Sequence, residues 1–128
     1  YTLEGCPQTA AVAAEVFQQE DANNIEQQTG NFDETLKPLI DSLPQLDFVY
    51  VDGNHQKDAT LRYFEWCLSK VHQDTLLIFD DIYWSEGMKE AWAAIKAHPQ
   101  VTVTVDLFWI GLVYFRKGQE KEDFRIRF

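Results

Sequence analysis

The chain has 128 residues, 45% of them hydrophobic, and a formal net charge of −10. That length builds one core and is too short for two. The acidic balance excludes a phosphate-backbone partner, which needs a basic face to release counterions, so no nucleic acid is expected.

No apolar run reaches the ~20 residues of a spanning helix, and no stretch resembles a signal peptide. No membrane partner is expected, and the chain reads as cytoplasmic. Cys6 and Cys67 are too few for a disulfide framework and too far apart for a metal-ligand pair.

In chain order, Tyr1 to Glu4 reads as the end of a strand with no lead-in and no initiating Met, so residues 1–128 are expected to be the C-terminal part of a single domain. Gly5-Cys6-Pro7 turns into a helix with Pro7 in its first turn, running over Ala10, Ala13, Val16 and Phe17 to about Glu20. Asn24 to Thr29 holds one large apolar residue, Ile25, and predicts an edge strand at most. Gly30-Asn31-Phe32-Asp33 is turn chemistry before a helix over Leu36, Leu39, Ile40 and Leu43; placing Pro38 in its first turn predicts a start near Glu34 or Thr35.

Leu46 to Val51 and Thr75 to Phe79 are short apolar runs that predict buried strands, each ending in carboxylates: Asp52 before Gly53-Asn54-His55, and Asp80-Asp81. Leu61, Phe64, Cys67, Leu68 and Val71 recur between them at helical spacing. Such a β-α-β unit has parallel strands and a right-handed crossover. Parallel neighbours lie about 5 Å apart, which brings Asp52, His55, Asp80 and Asp81 to one rim, where open α/β sheets bind ligands.

Ser85 then caps a helix over Met88, Ala91, Trp92 and Ile95, ended by His98-Pro99. Val101 to Val105 and Gly111 to Phe115 are joined too closely for a helical crossover, so they predict an antiparallel hairpin. Phe124 to Phe128 alternates and predicts a last short strand or a partner-facing edge. Alternating βα units make a doubly wound α/β sheet.

Asp52, Asp80 and Asp81 offer the hard oxygen ligands that Mg²⁺ and Ca²⁺ prefer. A structural role is the alternative, since Asp-Gly is a common turn and Asp-Asp often caps a helix. Without a cation, three converging carboxylates push at least one pKa up. His55 is the natural general base, because imidazole titrates near working pH. Tyr83, Trp84 and the Leu107-Phe108-Trp109-Ile110 turn put an aromatic tip on the same side of the sheet. It suits a pocket wall for a flat or apolar substrate, or a dimer contact.

Leu3-Glu4-Gly5 with Cys6-Pro7, Val51-Asp52-Gly53-Asn54-His55, Ile78-Phe79-Asp80-Asp81 and the closing hairpin together resemble the class I S-adenosylmethionine-dependent methyltransferases, in particular the small bacterial metal-dependent O-methyltransferases. The resemblance implies a Rossmann-like, mostly parallel sheet with a C-terminal antiparallel hairpin, and methyl transfer to a hydroxyl of a small-molecule acceptor. It places Glu4 on the cofactor's ribose, Asn31 and Phe32 near its adenine, Asp52 at the cofactor side, and Asp52, Asp80 and Asp81 around Mg²⁺ or another divalent cation, with His55 as catalytic base.

The family's first strand, Gly-rich loop and first helix have no counterpart here, so this stretch alone is expected to be inactive and to hold the cofactor poorly. That strand lies between those ending at Glu4 and before Asp52. The two are therefore expected to pair directly, or to be paired by a second chain in a homodimer. Two other readings stay open: a receiver-type signalling domain, whose acidic pair precedes its single Asp, and a non-catalytic Rossmann-like binding domain.

Overall fold

In the computed structural model, which describes residues 1–127, the chain divides into two units, residues 1–42 and Leu43 onward. The first holds β1 (Thr2–Glu4), α1 (Pro7–Gln19), β2 (Gln27–Thr29) and α2 (Phe32–Ser42). β1 and β2 pair in parallel as a two-stranded sheet, with Glu4 opposite Thr29. Gln27 Nε2 donates to the Ala10 carbonyl at 2.9 Å and ties β2 to α1.

Helix α2 starts earlier than Pro38 suggested. Asn31 Oδ1 accepts the Asp33 N–H at 3.0 Å, and its carbonyl accepts from Glu34 and Thr35, so the helix is nucleated at Phe32. Pro38 consequently lies in the helix interior, where its missing N–H removes the bond to the Glu34 carbonyl.

The second unit holds β3 (Leu46–Val51), α3 (Lys57–Leu68), β4 (Val71–Asp80), α4 (Glu86–Ala97), β5 (Val103–Asp106), β6 (Ile110–Tyr114) and β7 (Glu122–Arg125). Its five strands are ordered β3-β4-β6-β5-β7. β3 and β4 are parallel, β6 runs antiparallel to both β4 and β5, and β7 is parallel to β5. One reversed strand among four that share a direction is the Rossmann-like, mostly parallel arrangement with the expected hairpin. The alternation from Phe124 continues to Phe128, which lies outside the described residues.

Three expectations are corrected here. β4 begins at Val71 rather than Thr75, because Leu46 pairs with Val71 across a register shift. Thr75 Oγ1 fills that irregularity, donating to the Leu46 carbonyl at 2.5 Å and accepting the His72 N–H at 2.8 Å. Next, the strands form two sheets: β1 pairs with β2 and β3 with β4, so the strands ending at Glu4 and before Asp52 do not pair with each other. Lastly, β3 is an edge strand of its sheet, and Phe48 and Tyr50 are 60% and 46% exposed rather than buried.

The core lies where α3 and α4 meet β4, β5 and β6. Met88, Ala91, Trp92 and Ile95 are all buried on α4, and Ser85 Oγ caps that helix by accepting the Met88 N–H at 3.2 Å. Phe64 of α3 meets Phe79 edge-on at 6.2 Å. Full burial of side chains this size contributes about 1.5–3 kcal/mol each, which holds β4 and the rim residues that follow it. Among the described residues no helix is long and apolar enough to cross a membrane.

Candidate active site

The site grows from the register of β3 on β4. Val51 lies opposite Phe79, so one step further the parallel pairing sets Asp52 beside Asp80, both at the carboxyl ends of their strands. The chain then turns sharply after each. Asn54 has φ 50° and Asp81 φ 53°, the left-handed region that Asn and Asp enter more readily than other residues with side chains. Asn54 Nδ2 donates to the hydroxyl of buried Tyr63 at 3.1 Å, which anchors the first turn to α3.

These turns bring His55 between two carboxylates. Its Nε2 is 3.6 Å from Asp52 Oδ1 and 3.8 Å from Asp81 Oδ2. Both distances exceed a hydrogen bond and are short enough for electrostatic contact. Partial desolvation raises the Asp52 carboxyl above its ordinary value; Asp80 adds to this by charge and by a shared hydrogen bond, and the charge of His55 partly offsets it. Tyr50, two residues earlier on β3, joins the cluster: partial desolvation of its hydroxyl and then the charges of Asp80 and Asp52 push it up. The sequence reading missed it.

The metal centre expected from the three aspartates is not formed. Among the described residues no three His, Cys, Asp or Glu side chains are grouped to hold a metal ion. The reason is local: the turn at Asp81 aims its carboxylate at His55, while Asp80 engages Asp52 and Tyr50. An imidazole stands between Asp52 and Asp81 where shared coordination would need an ion.

Glu4, Asn31 and Phe32 belong to the first unit. Glu4 ends β1, and its Oε1 accepts the Cys6 N–H at 2.8 Å. Oε2 carries no hydrogen bond among the described residues, which leaves an acceptor suited to a sugar hydroxyl. Asn31 spends its side chain on the start of α2, so its structural role is visible; Phe32 is the first residue of that helix and half-buried.

A second constellation lies beside the rim. Ile110 pairs with Asp80, and the Ile82 N–H donates to the Trp109 carbonyl at 3.3 Å, so the β5–β6 turn is tied to the turn after β4. Asp106, 4% exposed, accepts from the Phe108 N–H at 2.9 Å, from the Tyr83 hydroxyl, and from Arg125 Nε and Nη2 at 3.3 Å. Burial alone would raise the Asp106 carboxyl, but the hydrogen bonds from Tyr83, Phe108 and Arg125 outweigh it and hold the group below its ordinary range. Burial and the bond to Asp106 push the Tyr83 hydroxyl up. A cavity of about 570 Å³ opens here, walled by these side chains with Leu107, Trp109, Ile126 and Arg127. The aromatic tip was legible in the sequence; the Asp106–Arg125 pair was not, although an Arg alternating with Phe124 and Ile126 in a strand was a usable signal.

The sequence profile of a family described as "Methyltransferase domain" matches residues 1–82, well over half of the 128. The chain belongs to that family. As a methyltransferase-family chain it shares its fold with the SAH-bound methyltransferase PaMTH1 of Podospora anserina, at a TM-score of 0.74 and 17% identity, covering 91% of this chain and 60% of that one. TomG, an O-methyltransferase of Streptomyces achromogenes solved in complex with SAM, aligns at a TM-score of 0.74 and 19% identity, with coverage of 90% and 60%. An O-methyltransferase of Bacillus cereus in complex with SAH aligns at 0.69 and 22%, with coverage of 88% and 61%. The chain thus spans about 60% of the length of these solved structures. An uncharacterized protein of Acanthamoeba polyphaga mimivirus is 31% identical over 52 residues, 40% of this chain and 24% of that protein.

Proposed function

We propose that this chain is part of an S-adenosylmethionine-dependent methyltransferase acting on a hydroxyl of a small-molecule acceptor. Membership of the methyltransferase-domain family supports the reaction class. The observation that carries the chemistry is His55 Nε2 held 3.6 Å from Asp52 and 3.8 Å from Asp81 at the carboxyl ends of β3 and β4.

S-adenosylmethionine supplies an electrophilic methyl group. The protein's part is to bind, orient and deprotonate. Glu4 Oε2 accepts from a ribose hydroxyl. His55 takes the proton of the acceptor hydroxyl, which makes the oxygen nucleophilic, and the flanking Asp52 and Asp81 carboxylates stabilise the imidazolium that results.

Replacing His55 by Ala tests this. With methyl transfer to a panel of hydroxylated small molecules read as S-adenosylhomocysteine formed, turnover should fall by ~10²- to 10⁴-fold. S-adenosylmethionine affinity, measured by calorimetry, should stay within about twofold, since only the proton-transfer contribution is removed. Equal losses in both would make His55 a structural residue and sink the assignment.

A further inference from the structure

The cavity beside the β5–β6 turn differs in charge from the rest of the chain. Eleven Lys and Arg stand against twenty-one Asp and Glu overall, yet among the described residues the charged side chains at this cavity are Arg125, Arg127 and Asp106. Asp106 is consumed internally by Phe108, Tyr83 and Arg125. Its negative charge is therefore neutralised from within, and the cavity presents a net positive face.

Arg125 uses Nε and Nη2 on Asp106 and Tyr83, lies over the Tyr83 ring at 5.6 Å, and remains 55% exposed. None of its described contacts uses Nη1. Arg127 makes no ion pair or hydrogen bond among the described residues, and it faces the same cavity. Two guanidiniums with open donors are therefore set beside exposed aromatic rings.

The rings are held in place rather than scattered. Tyr83 and Phe108 stack at 5.8 Å and 28°, and Trp109 meets Phe108 edge-on at 4.9 Å and 84°. Phe108 is kept at φ 74°, a costly backbone for an aromatic residue. Its own N–H on Asp106 Oδ1 maintains that conformation. One buried carboxylate thus fixes both the stacking ring and the guanidinium, which is preorganisation for a ligand that needs both. About 570 Å³ is the size of a site for one small molecule.

We propose that this cavity binds a flat aromatic ring bearing a carboxylate: the ring lies against Phe108 and Trp109, and the carboxylate takes hydrogen bonds from Arg125 Nη1 and the Arg127 guanidinium. The turn is tied to the Asp80–Asp81 end of β4, and when the ring also carries a hydroxyl such a molecule is the methyl acceptor, a role that rests on the methyl-transfer reading above.

The test titrates the full-length protein, without cofactor, with para-hydroxybenzoate, phenol and cyclohexanecarboxylate, following ligand-detected NMR. para-Hydroxybenzoate should bind about tenfold more tightly than either control, the scale of one charge-assisted contact or one aromatic stack. Arg127→Gln, which leaves only Arg125 on the carboxylate, should narrow the preference over phenol. Phe108→Gly, which relieves the positive φ and so does not threaten folding, should erase the preference over cyclohexanecarboxylate. Equal binding of phenol and para-hydroxybenzoate, unchanged affinity in Arg127→Gln, or no binding of any probe at millimolar concentration would overturn the proposal. The last includes the case in which a second copy seals the aromatic tip. Parallel titration with S-adenosylmethionine separates the two readings. Probe binding without cofactor binding removes the acceptor role and leaves the site, whereas cofactor binding without probe binding removes the site alone.

Discussion

Gly111 on β6 is where the sheet that carries the rim meets α4, and an added methyl there has a calculable effect. A Cβ on Gly111 would lie 2.7 Å from Cη2 and Cζ3 of Trp92 and 3.0 Å from Cζ2. Trp92 is itself buried and flanked on α4 by buried Ala91 and Ile95, so the ring has no empty space to move into. Forcing one methyl into a filled core costs about 1–3 kcal/mol. Alanine's smaller unfolded-state entropy returns ~0.4–1 kcal/mol. Gly111→Ala should therefore destabilise by about 1–2 kcal/mol, seen as a urea midpoint lower by roughly 0.5–2 M with unchanged slope. Trp92→Phe removes the clashing ring edge, together with an Nε1 that is buried without a partner among the described residues. The double variant should consequently lose less than the sum of the single ones, by about 1 kcal/mol or more. Additive losses, or a Gly111→Ala midpoint equal to wild type, would refute the close approach. Gly111 pairs with both Phe79 and Asp106, so strain there spreads toward both sites.

Three further outcomes follow from the electrostatics and the caps. Asp106→Asn should cost about 1–3 kcal/mol at pH 7, the scale of hydrogen bonds to a buried charge. Because the folded Asp106 pKa is depressed, its stabilisation is present above the ordinary value of 3.8 and is lost as pH falls through the folded value. The gap between variant and wild-type urea midpoints should accordingly narrow from pH 7 to pH 3, and a constant gap would contradict the assignment. Asp52 has the opposite sign: its folded pKa is raised above 3.8, so stability falls as pH rises through that window. Asp52→Asn should flatten the decline in thermal unfolding profiles, and an unaltered profile counts against the Asp52–Asp80 contact. Ser85→Ala should lose ~1 kcal/mol through the missing cap on the Met88 N–H, and an unchanged midpoint would show that the cap is not used.

Helix α4 was legible because its signals agree: cap, spacing and terminating His98-Pro99 all mark one span, and all four expected residues are buried. On α3 the buried face is Ala59, Thr60, Tyr63, Phe64 and Cys67, with Leu61 and Leu68 only half-buried. Hydrophobicity alone underweights Thr60 and Tyr63, whose polar atoms find partners in Met88 and Asn54. At α2 the conflict was between Pro38 and Asn31, and the cap prevailed because Asn31 accepts from several N-terminal donors while the proline removes a single donor. Exposure of Phe48 and Tyr50 was not legible, since which strand stands at a sheet edge depends on pairings distant in sequence.

The same distinction divides the two sites. Asp52, His55 and Asp81 could be placed together from the sequence because one β-α-β unit fixes their register. Asp106 and Arg125 could not, since they meet only through the parallel register of β7 on β5, in which they are direct partners. That pairing also explains why the closing strand matters. Without Arg125, Asp106 would be a buried carboxylate left with one hydroxyl and one N–H, and its pKa would rise because the guanidinium's hydrogen bonds and charge no longer help to offset burial. A less firmly ionised Asp106 would hold Phe108 and Tyr83 more weakly. Strand β7, four exposed residues, therefore helps to keep a buried group on its neighbour ionised, and through it supports the shape of the aromatic cavity.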